Sequence, residues 1–400
     1  MQQLAPLSGS IKHYDWGGIS YIPSLLQIEN PNMQPYAEYW LGVHPQAGCK
    51  LILAGGEEVL LRDYIAANGL KALGDNVLKG FGNMPYLLKV LDVKDMLSIQ
   101  VHPSKKQAAI DFEQENKAGV PIDAPNRNYK DANHKPELMV AMSEFYLLHG
   151  FKPEDELEAI LTKTKELKIF KPVFKKKGYA GLYKMAMEMP QEQVNEVLQP
   201  LISRILPLYQ NGTLQKDDEN FWAARAALTF DRPGVIDRGI FSVYFFNLVR
   251  LTTGQAIFQD AGVPHAYLEG QNVEIMASSD NVLRGGLTTK HIDNAALLKH
   301  TKCEATHPKI IKKARAASQH YKAPVKDFSL SSYKLQKGES ITLDIATAEI
   351  FLLMEGKVSL QSKRLKVVLA RPDITAAAFA GASVTVKALE EAWLFKAAAR

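Results

Sequence analysis

The sequence contains little cysteine, with only Cys49 and Cys303 in 400 residues and no CxxC pair. Two isolated cysteines exclude a disulfide framework and favour a reducing cytoplasm. Long apolar runs are also missing, because no stretch approaches the roughly 18 apolar residues of a membrane span. No basic segment followed by an apolar one opens the chain, so no signal peptide is evident. We therefore expect a cytoplasmic protein that does not bind a membrane.

Strong charge of one sign is missing as well. The 48 Lys and Arg residues are interspersed with 43 Asp and Glu residues, which leaves a net charge of +5. This balance permits attraction to small anions such as sugar phosphates but does not indicate a nucleic-acid partner. With 46% hydrophobic and 23% charged residues, the composition is that of a globular protein. Its length favours about two or three domains.

The hydrophobic patterns predict a mainly β chain with a helical insertion. Apolar residues recur at helical spacing within residues 154–161, 182–187 and 191–208, and this segment is expected to end near residues 231–234. A further helix is expected over residues 105–117, since Ser104 and Gln107 form a capping-box pattern. Strands are expected on both sides of the insertion, at residues 85–93, 96–102, 137–151, from Ile240 to Met276, and at 340–345, 349–354, 357–361 and 383–386.

Residues 97–103 stand out among the predicted strands. In strict alternation, Ser98, Gln100 and His102 point to one face, and Pro103 ends the strand. A histidine and a second oxygen or nitrogen donor on one strand face can hold a metal. Taken alone, the segment also fits a solvated strand edge.

Three later stretches carry matching chemistry. Glu137 opens a strand with apolar residues on both faces, so it needs a cation or several donors. His265 follows a tight turn at the start of a strand. Arg284 lies in a polar loop beside two glycines, which let the backbone and a substrate approach closely.

Together, Gln100, His102, Glu137 and His265 would provide two imidazoles, one carboxylate and one amide oxygen. Such a set suits zinc, with iron or manganese as alternatives. In the other interpretation, the histidines are separately hydrogen-bonded and Glu137 pairs with Lys135.

Four stretches resemble type I phosphomannose isomerases, in the order and spacing of that family. They are EYWLGVHP (residues 38–45), SIQVHP (98–103), NHKPE (133–137) and residues 261–290. The resemblance covers most of residues 10–300. It implies two cupin-type jelly-roll β-domains plus a small all-α domain. The implied division is a catalytic domain in two parts (1–153 and 235–318), a helical insertion (154–234) and a C-terminal jelly roll (319–400).

The resemblance also implies the site. It places one Zn²⁺ on Gln100, His102, Glu137 and His265, a catalytic arginine at Arg284, and phosphate contacts at Ser98 and Lys290. The further substrate-contacting candidates are Lys89 and Glu274. The candidate proton-transfer groups are Lys135, His134, Asp280 and Glu274, which the sequence does not rank.

The implied activity is interconversion of mannose 6-phosphate and fructose 6-phosphate, with proton transfer between C1 and C2 through a cis-enediol(ate). Two rivals are an iron-dependent cupin oxygenase and a non-catalytic cupin that binds sugar phosphates. Gln100 and the phosphate-type residues argue against the first, and the presence of Arg284 and Lys290 against the second. We expect a monomer.

Overall fold

The computed structural model describes residues 1–363 and 365–400. Its strands are β1 (Leu4–Ser8), β2 (Ser10–Lys12), β3 (Glu38–Gly42), β4 (Lys50–Ile52), β5 (Glu58–Leu60), β6 (Tyr86–Val93), β7 (Gln100–Val101), β8 (Glu137–Ala141), β9 (Phe145–Phe151), β10 (Phe246–Leu251), β11 (Ala256–Gln259), β12 (His265–Ala277), β13 (Leu283–Arg284), β14 (Ser318–Tyr321), β15 (Ser329–Leu335), β16 (Ser340–Asp344), β17 (Glu349–Glu355), β18 (Val358–Ser362), β19 (Leu365–Leu369), β20 (Thr375–Ala378), β21 (Ser383–Ala388) and β22 (Ala392–Ala398). Its α-helices are α1 (Tyr21–Leu26), α2 (Leu61–Leu73), α3 (Asp75–Phe81), α4 (Lys105–Lys117), α5 (Glu154–Lys163), α6 (Lys171–Glu188), α7 (Gln191–Gln210), α8 (Glu219–Phe230), α9 (Gly239–Phe245) and α10 (Asn294–His300).

A ten-stranded antiparallel sheet carries the candidate site. Its main path runs β10-β9-β12-β6-β3-β2, and β7, β8, β11 and β13 attach to it. The long strand β12 pairs with β6, β7, β8 and β9, so it borders most of the segments with candidate functional residues. The predicted strand region 137–151 forms β8 and β9, and the five residues of β8 are all buried.

Two further antiparallel sheets account for the C-terminal strands. An eight-stranded sheet runs β14-β15-β22-β17-β20-β1-β4-β5, and a four-stranded sheet runs β16-β21-β18-β19. The short C-terminal strands predicted from the sequence correspond to β16, β17, β18 and β21. Leu4 of β1 lies opposite Ala378 of β20, so the N-terminal segment is paired with the C-terminal strands. The architecture is therefore mainly β-sheet, with antiparallel pairing between named strands.

The predicted helical segment is confirmed. The helices α5, α6 and α7 cover the three stretches with helical spacing, and α8 ends at Phe230, close to the predicted boundary. The helices α6, α7 and α8 bury Phe174, Tyr183, Leu201 and Trp222 in one core, and this packing stabilises the amphipathic helices. Within residues 1–363 and 365–400, no helix has the length and apolar character to cross a bilayer.

The predicted helix after the histidine strand is confirmed as α4. The Ser104 hydroxyl accepts a hydrogen bond from the Gln107 N–H at 3.3 Å, as an N-cap does. The Gln107 side chain donates to Asp111 at 3.0 Å, so it does not close the reciprocal half of the capping box.

The predicted strand over residues 96–102 is wrong in its length, since only Gln100–Val101 is a strand. The backbone N–H groups of this segment donate to two different parts of the chain. Leu97 donates to the Tyr267 carbonyl at 2.9 Å, whereas Ile99 donates to the Gly286 carbonyl at 3.0 Å. The alternation of apolar and polar residues indicates which side chains are buried. It does not show whether the backbone forms one continuous ladder of strand hydrogen bonds.

The predicted return to β structure at Ile240 is also wrong, because Gly239–Phe245 is the helix α9 and β10 begins at Phe246. All seven residues of α9 are buried. A fully buried helix has no polar face, so its short apolar run has the same pattern as a buried strand.

Candidate functional site

Two histidines and a glutamate form a buried cluster beside β12. His102 Nε2 lies 3.4 Å from Glu137 Oε1, and His265 Nε2 lies 3.3 Å from Glu137 Oε2. The three ligand atoms all lie within 4.8 Å of one another. Two nitrogens and a carboxylate oxygen at this separation are able to share one metal ion.

The ring orientations fit a metal. His102 Nδ1 contacts the Asn281 carbonyl at 2.8 Å, and His265 Nδ1 contacts the Val263 carbonyl at 2.9 Å. A proton on each Nδ1 leaves the Nε2 lone pair free. Both Nε2 atoms are buried without a hydrogen-bond partner among the described residues. Burial lowers the pKa of His102 to about 4, so its imidazole is the neutral form that binds metals.

The histidines and the glutamate of the cluster each lie at the end of a strand. Glu137 is the first residue of β8, His265 is the first of β12, and His102 follows β7. Gln100 pairs with His265 on one side and with Arg284 on the other. The predicted fourth ligand therefore lies between the histidine cluster and the predicted catalytic arginine.

The pairing of Glu137 with Lys135, the alternative to a metal site, is also present. Lys135 Nζ lies 3.1 Å from Glu137 Oε1. Burial raises the pKa of the Glu137 carboxyl, but the positive charge of Lys135, with the two histidines beside it, outweighs burial and holds that pKa well below its usual range. The carboxylate is thus ionised and faces both the lysine and the histidines.

A cavity of about 920 Å³ lies next to the cluster. Most of the predicted site residues line it: Lys89, Ser98, Gln100, Lys135, Asp280, Arg284 and Lys290. A small pocket lined by Glu137, His265 and Glu274 shares Gln100, Lys135 and Lys89 with this cavity. His134 is placed elsewhere, because its Nε2 contacts Asp327 at 3.0 Å.

Arg284 lines the cavity. Within the described ranges it makes no ion pair, and burial lowers the pKa of its guanidinium. Asp280 contacts His44 at 3.0 Å, so Arg284 does not brace its loop through an ion pair with Asp280. Lys290 is exposed as a residue, but partial burial of its ammonium and the charge of Arg284 lower its pKa.

Sequence reasoning missed a buried charge network at the cavity wall. Lys89 Nζ lies 3.2 Å from Glu38 and 3.7 Å from Glu274, and Tyr267 donates to Glu274 at 2.8 Å. Burial raises the pKa of Glu274 to about 7. Glu38 lies two residues before Trp40 on β3, so both side chains point to one face of the strand, and this spacing is the sequence signal that indicates Glu38.

The two glycines after Arg284 pack closely against other parts of the protein. The expectation that they let a substrate approach is therefore wrong. A Cβ on Gly285 would lie 2.7 Å from the Tyr183 hydroxyl. A Cβ on Gly286, whose φ is +115°, would lie 2.3 Å from the Gly239 Cα. The loop that carries Arg284 is thus packed directly on α9.

Gly286→Ala is expected to destabilise the protein more than Gly338→Ala. Gly338 has a φ of +91° but open space around its Cβ position, so alanine there costs only backbone strain of about 1–2 kcal/mol. Alanine at Gly286 adds overpacking of about 1–3 kcal/mol. Urea unfolding measures both changes, and equal losses would refute the packing of the loop on α9.

Comparison with known proteins identifies the relatives of this chain. Residues 4–154 match the family model described as phosphomannose isomerase type I, catalytic domain. Mannose-6-phosphate isomerase of Escherichia coli (strain K12) is 36% identical over 368 residues, which cover 88% of this chain and 89% of that protein. The Homo sapiens mannose-6-phosphate isomerase is 34% identical over 388 residues, with 88% of each chain covered.

A solved structure agrees over the whole length. Mannose 6-phosphate isomerase from Salmonella typhimurium, bound to substrate (F6P) and zinc, has a TM-score of 0.89 and 32% identity, and all of both chains is covered. The match to the full chain places the histidine cluster within a fold that binds zinc in that relative. This chain therefore is an isomerase and belongs to the type I family of mannose-6-phosphate isomerases.

Proposed function

We propose that this chain is a zinc-dependent aldose–ketose isomerase that interconverts mannose 6-phosphate and fructose 6-phosphate. One observation carries the proposal. Gln100 and Lys135 line both the small pocket over Glu137 and His265 and the large cavity that contains Arg284. A metal and a fixed cation can therefore act on one bound molecule. An assay with mannose 6-phosphate as the sole sugar, following the ketose formed, tests the proposal.

The proposed metal ligands are Gln100, His102, Glu137 and His265, with one Zn²⁺ per chain. The two unpartnered Nε2 atoms support a metal, and imidazole nitrogen with carboxylate oxygen is a donor set that zinc binds. Bound zinc would supply a Lewis acid that polarises a carbonyl or hydroxyl oxygen. Family membership removes the support for an iron oxygenase and for a non-catalytic cupin.

The proposed reaction moves a proton between C1 and C2 through a cis-enediol(ate). Arg284 would donate its forked N–H groups to the oxygens that become negative as the proton leaves. Lys135 and Asp280 line the cavity and are the favoured candidates for moving the proton. Glu274 lies in the small pocket, whereas His134 is held by Asp327, so we assign His134 no contact with substrate.

The proposed phosphate contacts are Ser98 and Lys290, which line the same cavity as Arg284. Anchoring the phosphate end would position C1 and C2 for reaction, so binding energy far from the reacting atoms contributes to rate. Lys89 is ion-paired with Glu38 and Glu274. We therefore assign Lys89 and Glu274 to the sugar end.

Lys290→Ala is expected to lower kcat/KM for mannose 6-phosphate by roughly 10–100-fold, as for a lost charge-assisted hydrogen bond. Turnover of free mannose should change little, because that sugar has no phosphate. Lys337→Ala, which removes an exposed lysine in the turn between β15 and β16, serves as the charge-matched control. Equal losses on both sugars would remove Lys290 from the phosphate site.

For the whole chain we propose cupin-type jelly rolls divided at residues 1–153, 154–234, 235–318 and 319–400. The sheets cross this division at one place, since the N-terminal strands β1, β4 and β5 belong to the sheet of the C-terminal strands. A monomer in a reducing cytoplasm, without nucleic-acid or membrane partners, remains part of the proposal. The free Cys49 and Cys303 support the reducing compartment, and the mild net charge supports the absence of a nucleic-acid partner.

A further inference from the structure

The side chain of Asn281 is fully buried and satisfied on all sides. Its Oδ1 accepts from the backbone N–H of Lys130 at 2.7 Å and of Asp131 at 3.3 Å. Its Nδ2 donates to the carbonyls of Asp131 and Asn133, both at 2.8 Å. One amide thus binds a whole turn of the loop before β8.

The Asp131 carboxylate completes the junction from the opposite side. It accepts from the Ser279 hydroxyl at 2.9 Å and from the Asp280 N–H at 2.8 Å. It also accepts from the Asn133 N–H at 2.9 Å, within its own loop. The loop of residues 130–133 and the loop of residues 279–281 are therefore held as one unit, which we call the 131–281 clasp.

The clasp lies between the metal cluster and the catalytic arginine. The Asn281 carbonyl accepts from His102 Nδ1 at 2.8 Å, so it fixes the ring that offers Nε2 to the metal. Two residues after Asn281, β13 begins and pairs Arg284 with Gln100. Any movement of Asn281 is thus transmitted to a ligand ring and to the arginine together.

We propose that Asn281 is a positioning residue that sets both the metal affinity of His102 and the placement of Arg284. The expected effect on catalytic activity rests on the proposed isomerase function, whereas the expected effect on metal affinity does not. Asn281 contacts neither the metal nor substrate in this account. It acts through the backbone that its own side chain holds.

Only an amide supplies two donors and an acceptor in this geometry. Alanine leaves the N–H groups of Lys130 and Asp131 and the Asp131 carbonyl without partners, whereas the Asn133 carbonyl keeps the Ser279 hydroxyl at 3.3 Å. Each unpaired group that is shielded from water costs about 1–3 kcal/mol. Aspartate keeps the size but places a carboxylate against two carbonyls and the Asp131 carboxylate. Both changes would displace the Asn281 carbonyl from His102.

The test measures zinc affinity by chelator competition, and kcat and KM at saturating zinc, in Asn281→Ala and Asn281→Asp. Zinc affinity should fall about 10–100-fold, as for other lost partners of metal-bound histidines. At saturating zinc, kcat should still fall at least about 10-fold with KM nearly unchanged, because Arg284 remains misplaced. Asn272→Ala is the control, since Asn272 is also fully buried but its side-chain amide has no hydrogen-bond partner among the described residues.

A folded Asn281→Ala protein with wild-type zinc affinity would overturn the proposal, as would equal losses in Asn272→Ala. If neither Asn281 variant folds, Asp131→Asn weakens the clasp while leaving Asn281 in place. It should then lower zinc affinity several-fold, and an unchanged affinity would overturn the proposal. Absence of mannose 6-phosphate turnover in the unmodified protein would refute the proposed function and leave the zinc measurement intact.

Discussion

Glu137→Gln is expected to abolish tight zinc binding, with isomerase activity lost in proportion. Glu137 supplies the one formal negative charge of the proposed ligand set and contacts both histidines at 3.3–3.4 Å. A neutral amide keeps the shape but removes that charge. The affinity should fall by more than the roughly 10–100-fold seen when an outer partner of a ligand is lost. Chelator competition measures the change.

Glu274→Gln provides the control for this experiment. Glu274 is also a buried glutamate, but it lies on β12 and contacts Lys89 and Tyr267 rather than the histidines. Its variant should retain zinc affinity within a few-fold. Glu137→Gln protein that binds zinc as tightly as Glu274→Gln protein would contradict the ligand assignment.

Arg284→Ala is expected to fold and bind zinc normally but to lose on the order of 10²–10³ in kcat, by analogy with the loss of one oxyanion donor. Its guanidinium stays protonated at neutral pH, so its contribution is fixed positive charge and forked donors. Because the negative charge develops in the transition state, the loss should appear in kcat more than in KM. Steady-state kinetics with mannose 6-phosphate measure the split.

Arg284→Lys should recover little of this activity, because a point charge does not reproduce the fork. Since Asp280 contacts His44 and not Arg284, Arg284→Ala should also leave thermal stability nearly unchanged. A stable, zinc-loaded Arg284→Ala protein with near-normal kcat would rule out the catalytic role. A large loss of stability would instead favour a structural one.

Much of the candidate site could be predicted because its residues occupy strand ends. Glu137 and His265 each open a strand next to a proline or a turn, and these are signals of local sequence. The helices α5 to α7 could be predicted equally well, since the spacing of apolar residues in an amphipathic helix indicates which face is buried. Both kinds of feature depend on a few neighbouring residues.

Other features depend on contacts between distant parts of the chain. The pairing of β1 with β20 joins residues 370 to 374 positions apart, and no local pattern specifies it. The His44–Asp280 contact and the 131–281 clasp likewise join separate loops. The helix α9 was missed for a different reason, because a run buried on every side carries no periodicity.

The most direct test of the account is an isomerase assay on purified protein before and after metal removal. The account predicts measurable conversion of mannose 6-phosphate with about one zinc per chain bound. Chelation should remove the activity, and added zinc should restore it. Metal-free protein that isomerises mannose 6-phosphate at the full rate would contradict the zinc-dependent mechanism.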